Sequence, residues 1–210
     1  MKTIEQIKNL RFIALLFIAI AVVSCSDDDE DTPEENLPEV FTDVTLIFTP
    51  SGGGTPITAS AEDPDGEGIS DLVVNDEINL AANTTYTLTY TIFNALVTPA
   101  ENIGAEILDE DDEHQIFFSF TDGAFSDPTG DGNIGAANAA DPINYLDEDS
   151  DTQDGSGNPV GLLTQWTTGA AQTGASFRVN LQHQPGVKTA TSTSADGDTD
   201  FDLTFVLNIQ

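Results

Sequence analysis

Strict alternation of apolar and polar side chains is the feature of this 210-residue sequence that most constrains its fold. Between residues 86 and 92, Tyr, Leu, Tyr and Ile alternate with threonines, and residues 201–209 repeat the pattern. Successive side chains of a β-strand point to opposite faces, so a period of two predicts strands with one buried face. The only helical candidate is a short acidic piece at 105–111. The chain is therefore expected to be all-β.

Further strand-like segments are separated by turns rich in Gly, Pro, Asp and Asn. Together with the two alternating segments they give about eight strands, each with one apolar face. This pattern predicts a single antiparallel β-sandwich over residues 41–210, either immunoglobulin-like or resembling a small barrel. The additional strand candidates are residues 44–48, 57–61, 72–74, 114–120, 162–167 and 177–183.

The N-terminus has the features of a secretion signal. Three basic residues precede an apolar run at 12–23, which is too short to cross a bilayer as a helix. The following Val22-Val23-Ser24-Cys25 resembles the bacterial lipobox, in which the cysteine is lipidated and becomes the mature N-terminus. We therefore expect residues 1–24 to be a lipoprotein signal peptide and Cys25 to be the lipidation site. The alternative is an ordinary signal peptide with an incidental cysteine.

An acidic segment follows the cysteine. Residues 26–31 read Ser-Asp-Asp-Asp-Glu-Asp and resemble the acidic export signal of surface lipoproteins in Bacteroidota. A run of like charges also repels itself and stays extended, so residues 25–40 are expected to form a lipidated, acidic tether. The expected location is the outer membrane, with the lipid-anchored domain exposed at the cell surface. The periplasmic face is the alternative.

The chain is strongly acidic, with a formal net charge of −32. After removal of residues 1–25, Arg178 and Lys188 are the only Lys or Arg residues left. Nucleic-acid binding needs clustered basic residues, so it is not expected. Anionic headgroups would repel the chain, and its membrane attachment must then come from the lipid. Repulsion among so many negative charges destabilises the folded chain, unless salt screens the charges or bound divalent cations neutralise them.

Three acidic loops built around glycines are candidate calcium sites. Calcium prefers six to eight oxygens, and carboxylates at alternate positions of a tight loop can aim several at one point. The alternative is that each loop is an ordinary turn, because Asp and Gly are good turn formers. The candidate ligands are Asp63, Asp65, Glu67 and Asp71 in the first loop, which is the best candidate, Asp127 and Asp131 in the second, and Asp149, Asp151 and Asp154 in the third.

The two histidines are placed so that they can meet. His114 begins one predicted strand and His183 ends another, each on the apolar face. If these strands are antiparallel neighbours, both rings lie at one rim of the core, with Asp111 and Glu113 beside them. Two imidazoles and a carboxylate can bind zinc or copper. The alternative is a pair of core-edge histidines that hydrogen-bond to carboxylates.

Motifs typical of catalysis are missing from the sequence. No nucleophile-elbow motif surrounds a serine, and no glycine-rich loop carries a phosphate-binding lysine. Carboxylate pairs are too numerous for one of them to stand out as an acid–base couple. We therefore expect no enzymatic activity, no catalytic residues and no organic cofactor.

Four short motifs are spread over residues 40–210: NLAANTTYT at 79–87, DEHQ at 112–115, GNPVGL at 157–162 and LQHQP at 181–185. Together they resemble a family of small surface or periplasmic lipoproteins from Flavobacteria and relatives. Its members are often labelled as having a type 1 periplasmic binding fold, which consists of two parallel α/β lobes, whereas the strand pattern here predicts an all-β domain. The resemblance implies a lipoprotein and assigns no activity to individual residues.

Two functions remain open from the sequence. The first is a non-enzymatic, surface-anchored lipoprotein that binds a ligand, most specifically a divalent metal ion, for delivery to an outer-membrane transporter. The second is a structural or adhesive surface β-module whose acidic loops are stiffened by calcium.

Overall fold

The computed structural model describes residues 39–66, 72–135, 143–148 and 157–210. Pro38–Gln210 forms one compact unit. The predicted signal peptide, Cys25 and most of the predicted tether lie outside the described residues. The same holds for the calcium candidates Glu67, Asp71, Asp149, Asp151 and Asp154.

Eleven strands and one helix occur in the described part of the chain. In chain order they are β1 (Asp43–Pro50), β2 (Ile57–Glu62), β3 (Val73–Val74), β4 (Ile78–Leu80), β5 (Thr85–Phe93), α1 (Ile103–Asp109), β6 (His114–Phe120), β7 (Phe125–Asp127), β8 (Asn144–Tyr145), β9 (Thr164–Thr168), β10 (Gln172–His183) and β11 (Asp198–Ile209).

The strands form two sheets. The first has the order β3-β2-β1-β5-β9-β7, and β8 also pairs with β9. The second has the order β4-β11-β10-β6. All pairs are antiparallel except β4 and β11, which run parallel. The predicted β-sandwich is therefore confirmed, with a mixed edge on its second sheet.

Aromatic side chains join the two sheets. Trp166 of β9 is fully buried and meets Phe118 of β6 and Phe177 of β10, with ring centroids 5.1 and 5.0 Å apart. Phe48 of β1 also packs edge-on against Phe177, at 5.8 Å. Such edge-to-face pairs add to the stability gained from burying their large apolar surface. The face predicted as apolar in each alternating segment is the face that forms this core.

The strand predictions differ from the structure at short elements. Strands β4, β7 and β8 contain two or three residues each and were not predicted, because so few residues cannot show a period of two. Two parallel α/β lobes, the fold with which the resembled lipoprotein family is often labelled, are not what this structure shows. The single helix in the described residues has seven residues. That helix, α1, overlaps the acidic helical candidate at 105–111.

The loop between β10 and β11 passes close to the end of β10 at one glycine. Gly197 has a φ of +82°, and an added Cβ would lie 2.1 Å from the carbonyl oxygen of His183. Gly186 of the same loop also has a positive φ, +67°, but nothing lies within 4 Å of its added Cβ. An alanine at position 186 would therefore introduce backbone strain alone, whereas an alanine at position 197 would introduce both backbone strain and a steric clash.

We expect Gly197→Ala to destabilise the domain much more than Gly186→Ala. The left-handed conformation alone costs an L-residue about 1–2 kcal/mol, and Gly186→Ala should cost about that much. Gly197→Ala adds a clash with backbone, for which we expect at least about 2 kcal/mol more. Denaturant unfolding of both variants measures the difference, and equal losses would contradict the close packing of Gly197 on His183.

Candidate metal site

The two histidines meet at one rim of the second sheet. Strands β6 and β10 are antiparallel neighbours, which is the condition under which the sequence brings the two rings together, and His114 is directly opposite His183. Their rings are stacked with centroids 4.5 Å apart and an interplanar angle of 6°. Directly opposed residues on one face of a sheet bring their side chains together, which explains the stacking.

His114 is buried, and its two ring nitrogens have different surroundings. Nδ1 lies 3.2 Å from the backbone carbonyl oxygen of Glu110. A carbonyl only accepts hydrogen bonds, so Nδ1 is assigned the proton and Nε2 carries the free lone pair. Burial lowers the pKa of His114 to about 4, which keeps the ring neutral. A neutral histidine whose Nδ1–H is held by a carbonyl is the form that binds metals through Nε2.

Two carboxylates face Nε2 of His114. One oxygen of Glu39, in the segment before β1, lies 3.8 Å from Nε2, and one oxygen of Asp200, on β11, lies 3.7 Å from it. Both separations exceed a hydrogen bond. Both carboxylate side chains are mostly buried. We call Glu39, His114 and Asp200 the buried triad.

Each residue of the buried triad has a buried polar atom with no hydrogen-bond partner: Oε2 of Glu39, Nε2 of His114 and Oδ2 of Asp200. One metal-ligating atom from each residue lies within 4.8 Å of the other two. Buried polar groups are nearly always hydrogen-bonded, so three neighbouring residues with unsatisfied atoms require an explanation. Once both carboxyls are ionised, all three residues present lone pairs, and a cation is the ligand that satisfies them together.

Burial disfavours the ionised form of both carboxyls in the buried triad. Burial, together with the negative charge of Asp200, raises the pKa of Glu39 to about 8. Burial also raises the pKa of Asp200 to about 7, although His183 acts in the opposite direction. In the described part of the chain, neither carboxylate forms a salt bridge with Arg or Lys, since Arg178 pairs with Asp202 and Lys188 bonds to the carbonyl of Asp111. A bound divalent cation would remove this repulsion.

The buried triad fits zinc. Zinc binds imidazole nitrogen and carboxylate oxygen at about 2.0–2.2 Å in tetrahedral sites, which places neighbouring ligand atoms about 3.4 Å apart. The two separations from Nε2, 3.7 and 3.8 Å, need a contraction of only a few tenths of an ångström, and the third, between the carboxylate oxygens, is within 4.8 Å. Two carboxylates and one imidazole suit zinc better than copper(I), which prefers thiolate and thioether ligands.

The other residues of the predicted histidine site lie outside the buried triad. Nε2 of His183 is 3.2 Å from Oε2 of Glu113, so these two form a partly exposed pair. Asp111 is buried, and its backbone carbonyl accepts a hydrogen bond from Lys188. The structure thus brings three of the predicted ligands, His114, His183 and Glu113, to the same rim, with only His114 in the triad.

The described calcium candidates do not converge. Asp63 is buried, and its Oδ1 accepts a hydrogen bond from the amide of Asp65 at 3.3 Å, while its Oδ2 has no partner. Asp127 accepts a hydrogen bond from Asn144, and the backbone carbonyl of Asp131 accepts one from Phe120. Within the described ranges, neither of the two groups of three metal-type ligands contains any of these residues.

Sequence reasoning missed Glu39 and Asp200. In a regular strand Asp200 would share the outward face with Asp202. The pairing of β10 with β11 shifts by one residue, however, since Leu181 is opposite Phe201 and Gln182 is opposite Thr199. Asp200 is the extra residue of this β-bulge, and bulges redirect side chains. No residue pattern in the sequence signals that shift.

No protein family, curated protein or solved structure that was compared with this chain matches it. In the described ranges no helix has the length and apolar character needed to span a membrane. The interpretation of the site therefore depends on its own geometry and chemistry.

Proposed function

We propose that this chain is a non-enzymatic lipoprotein, anchored through Cys25 at the outer membrane and exposed at the cell surface, whose sandwich binds one divalent transition-metal ion. Zinc is the ion that suits the ligands best. The observation that carries the proposal is the convergence of one ligand atom from each residue of the buried triad, in three residues that each also have a buried polar atom without a hydrogen-bond partner. The acidic surface would concentrate cations around the domain. A carrier at this location would hand its ion to an outer-membrane transporter.

The proposal is tested by equilibrium zinc binding with two matched variants. His114→Phe and His183→Phe both keep an aromatic ring in the stack, and each removes one imidazole. We expect one zinc ion per chain for the wild type and for His183→Phe, and loss of binding for His114→Phe, because only His114 faces the two carboxylates through a free nitrogen. Elemental analysis after dialysis and competition with a chromophoric chelator give stoichiometry and affinity.

Two outcomes would contradict the proposal. One is a wild-type chain that binds neither zinc nor copper, with its stability unchanged by a chelator. The other is zinc binding that His114→Phe leaves intact while circular dichroism shows the fold to be preserved.

Calcium binding at the first acidic loop is a second candidate, and it corresponds to a structural or adhesive surface module. The buried Oδ2 of Asp63, which has no hydrogen-bond partner, favours it. The same experiment separates the two functions, because elemental analysis distinguishes calcium from zinc. A calcium-stiffened module would lose thermal stability in a calcium-selective chelator, and Asp63→Asn would abolish that loss without changing zinc binding. A melting temperature that no chelator changes, with no metal bound, would count against both functions.

A further inference from the structure

The buried triad raises the question of how an ion reaches it. The unsatisfied atoms of Glu39, His114 and Asp200 are all buried. A metal site needs a path from solvent, and ligand exchange along that path is faster when each step offers new ligands. Groups beside the triad that are both metal-binding and exposed are therefore the first place to look.

One such set lies on the other side of His114. Metal-ligating atoms of Glu110, His114 and His183 lie within 4.8 Å of one another. Nδ1 of His114 carries a proton bonded to the carbonyl of Glu110, which removes it as a ligand. A carboxylate oxygen of Glu110 lies within 4.8 Å of a ring nitrogen of His183, and Glu113 lies 3.2 Å from Nε2 of His183, to which it is hydrogen-bonded. We call His183 and these two carboxylates, Glu113 and Glu110, the capture cluster.

The capture cluster faces solvent, unlike the buried triad. The side chains of Glu110, Glu113 and His183 are 52%, 36% and 15% exposed. An imidazole with two carboxylates has the same ligand chemistry as the triad. The stacked rings, 4.5 Å apart, connect the two groups of residues.

The charge around the rim also favours cations. The negative charges of Glu110, Glu106 and Glu101 all act on Glu39 and help to raise its pKa. Fixed charge of one sign in a confined region increases the local concentration of counterions and their association rate. An incoming cation is therefore drawn to the rim where the capture cluster lies.

We propose that the capture cluster takes up a zinc ion from solvent and passes it to the buried triad. This inference rests on the proposed function. In the first step zinc binds Nε2 of His183, whose proton moves to Nδ1 through solvent, and gains carboxylate oxygens of Glu113 and Glu110. In the second step the ion exchanges these bonds for bonds to Glu39, His114 and Asp200, any proton on the two carboxyls is released to water, and the proton of His183 returns to Nε2. Zinc remains divalent throughout.

The test is kinetic and uses stopped-flow mixing of the full chain with zinc, followed by transfer to a fluorescent chelator. His183→Phe keeps the stacked ring without a ligand atom, and Glu113→Gln keeps a hydrogen-bond partner for His183. Glu62→Gln, an acid at the end of β2 in the other sheet, controls for net charge. We expect both cluster variants to slow zinc association and dissociation about tenfold each, with the dissociation constant unchanged within about twofold. The control should match the wild type.

Three results would overturn the inference, and they are distinguishable. Unchanged rates in both cluster variants, with wild-type affinity, would remove the capture step and leave the zinc site standing. A weakened affinity arising from faster dissociation alone would make His183 a ligand of the final site instead. Absence of zinc binding by the wild-type chain would remove the proposed function and the capture step together.

Discussion

The double variant Glu39→Gln/Asp200→Asn should be more stable than the wild type at pH 8 without metal, although it loses zinc binding. At this pH the wild type must ionise two buried carboxyls whose pKa values are raised to about 8 and about 7. Neutral amides of the same shape avoid that cost. We expect the free energy of unfolding to rise by about 2–4 kcal/mol and the zinc affinity to fall by at least about 100-fold, because amides are poor zinc ligands.

Melting in chelator and competition titration with zinc measure the two effects. Asp202→Asn is the matched control, because Asp202 lies on the same strand and pairs with Arg178 at the surface. The Asp202→Asn substitution should change the free energy of unfolding by less than about 1 kcal/mol and leave zinc binding unchanged. A double variant that is less stable than the wild type at pH 8 would show that the carboxylates contribute to the fold in some other way.

Zinc should stabilise the chain far more at pH 8 than at pH 5. The pKa values of Glu39 and Asp200 are higher in the folded chain than their ordinary values of 4.5 and 3.8. Their protonated forms therefore stabilise the metal-free fold at low pH, and this contribution is lost as the pH rises through about 7 to 8. Zinc needs both carboxylates ionised, so its affinity rises over the same interval. At a free zinc concentration of 100 times the dissociation constant, the stabilisation is about 2.7 kcal/mol.

His114 contributes a pH dependence of opposite sign. Its pKa is lowered from 6.5 to about 4, so its contribution to stability is present above pH 6.5 and is lost as the pH falls toward 4. The measurement is the shift in melting temperature caused by zinc at each half pH unit from 5 to 8. A shift that does not increase with pH in the wild type would be inconsistent with carboxylate ligands of raised pKa. The Glu39→Gln/Asp200→Asn variant should show little shift at any pH.

The sequence was sufficient for the sandwich and for the face on which each histidine lies. Both follow from a local period of two, whereas the pairing of β6 with β10 that brings the rings together comes from the structure. The proposed ligand Asp200 was beyond this reasoning, because a bulge changes the face of a residue without changing the pattern around it. Glu39 was assigned to the tether, since the segment before β1 has no periodicity that shows where packing begins. Phe41, which is buried against Phe201, is the first core residue of that segment.

The bulge in β11 also has a consequence for how such a site can arise. A chain with one residue fewer at this position would pair β10 and β11 without interruption from Ala175 to His183, and the core of the sandwich would be retained. The Asp200 carboxylate that faces Nε2 of His114 would then be absent, and the histidines would be ordinary residues at the rim of a stable scaffold. The difference between an inert module and the proposed ion carrier would thus be a single inserted amino acid, a change that strand pairing tolerates.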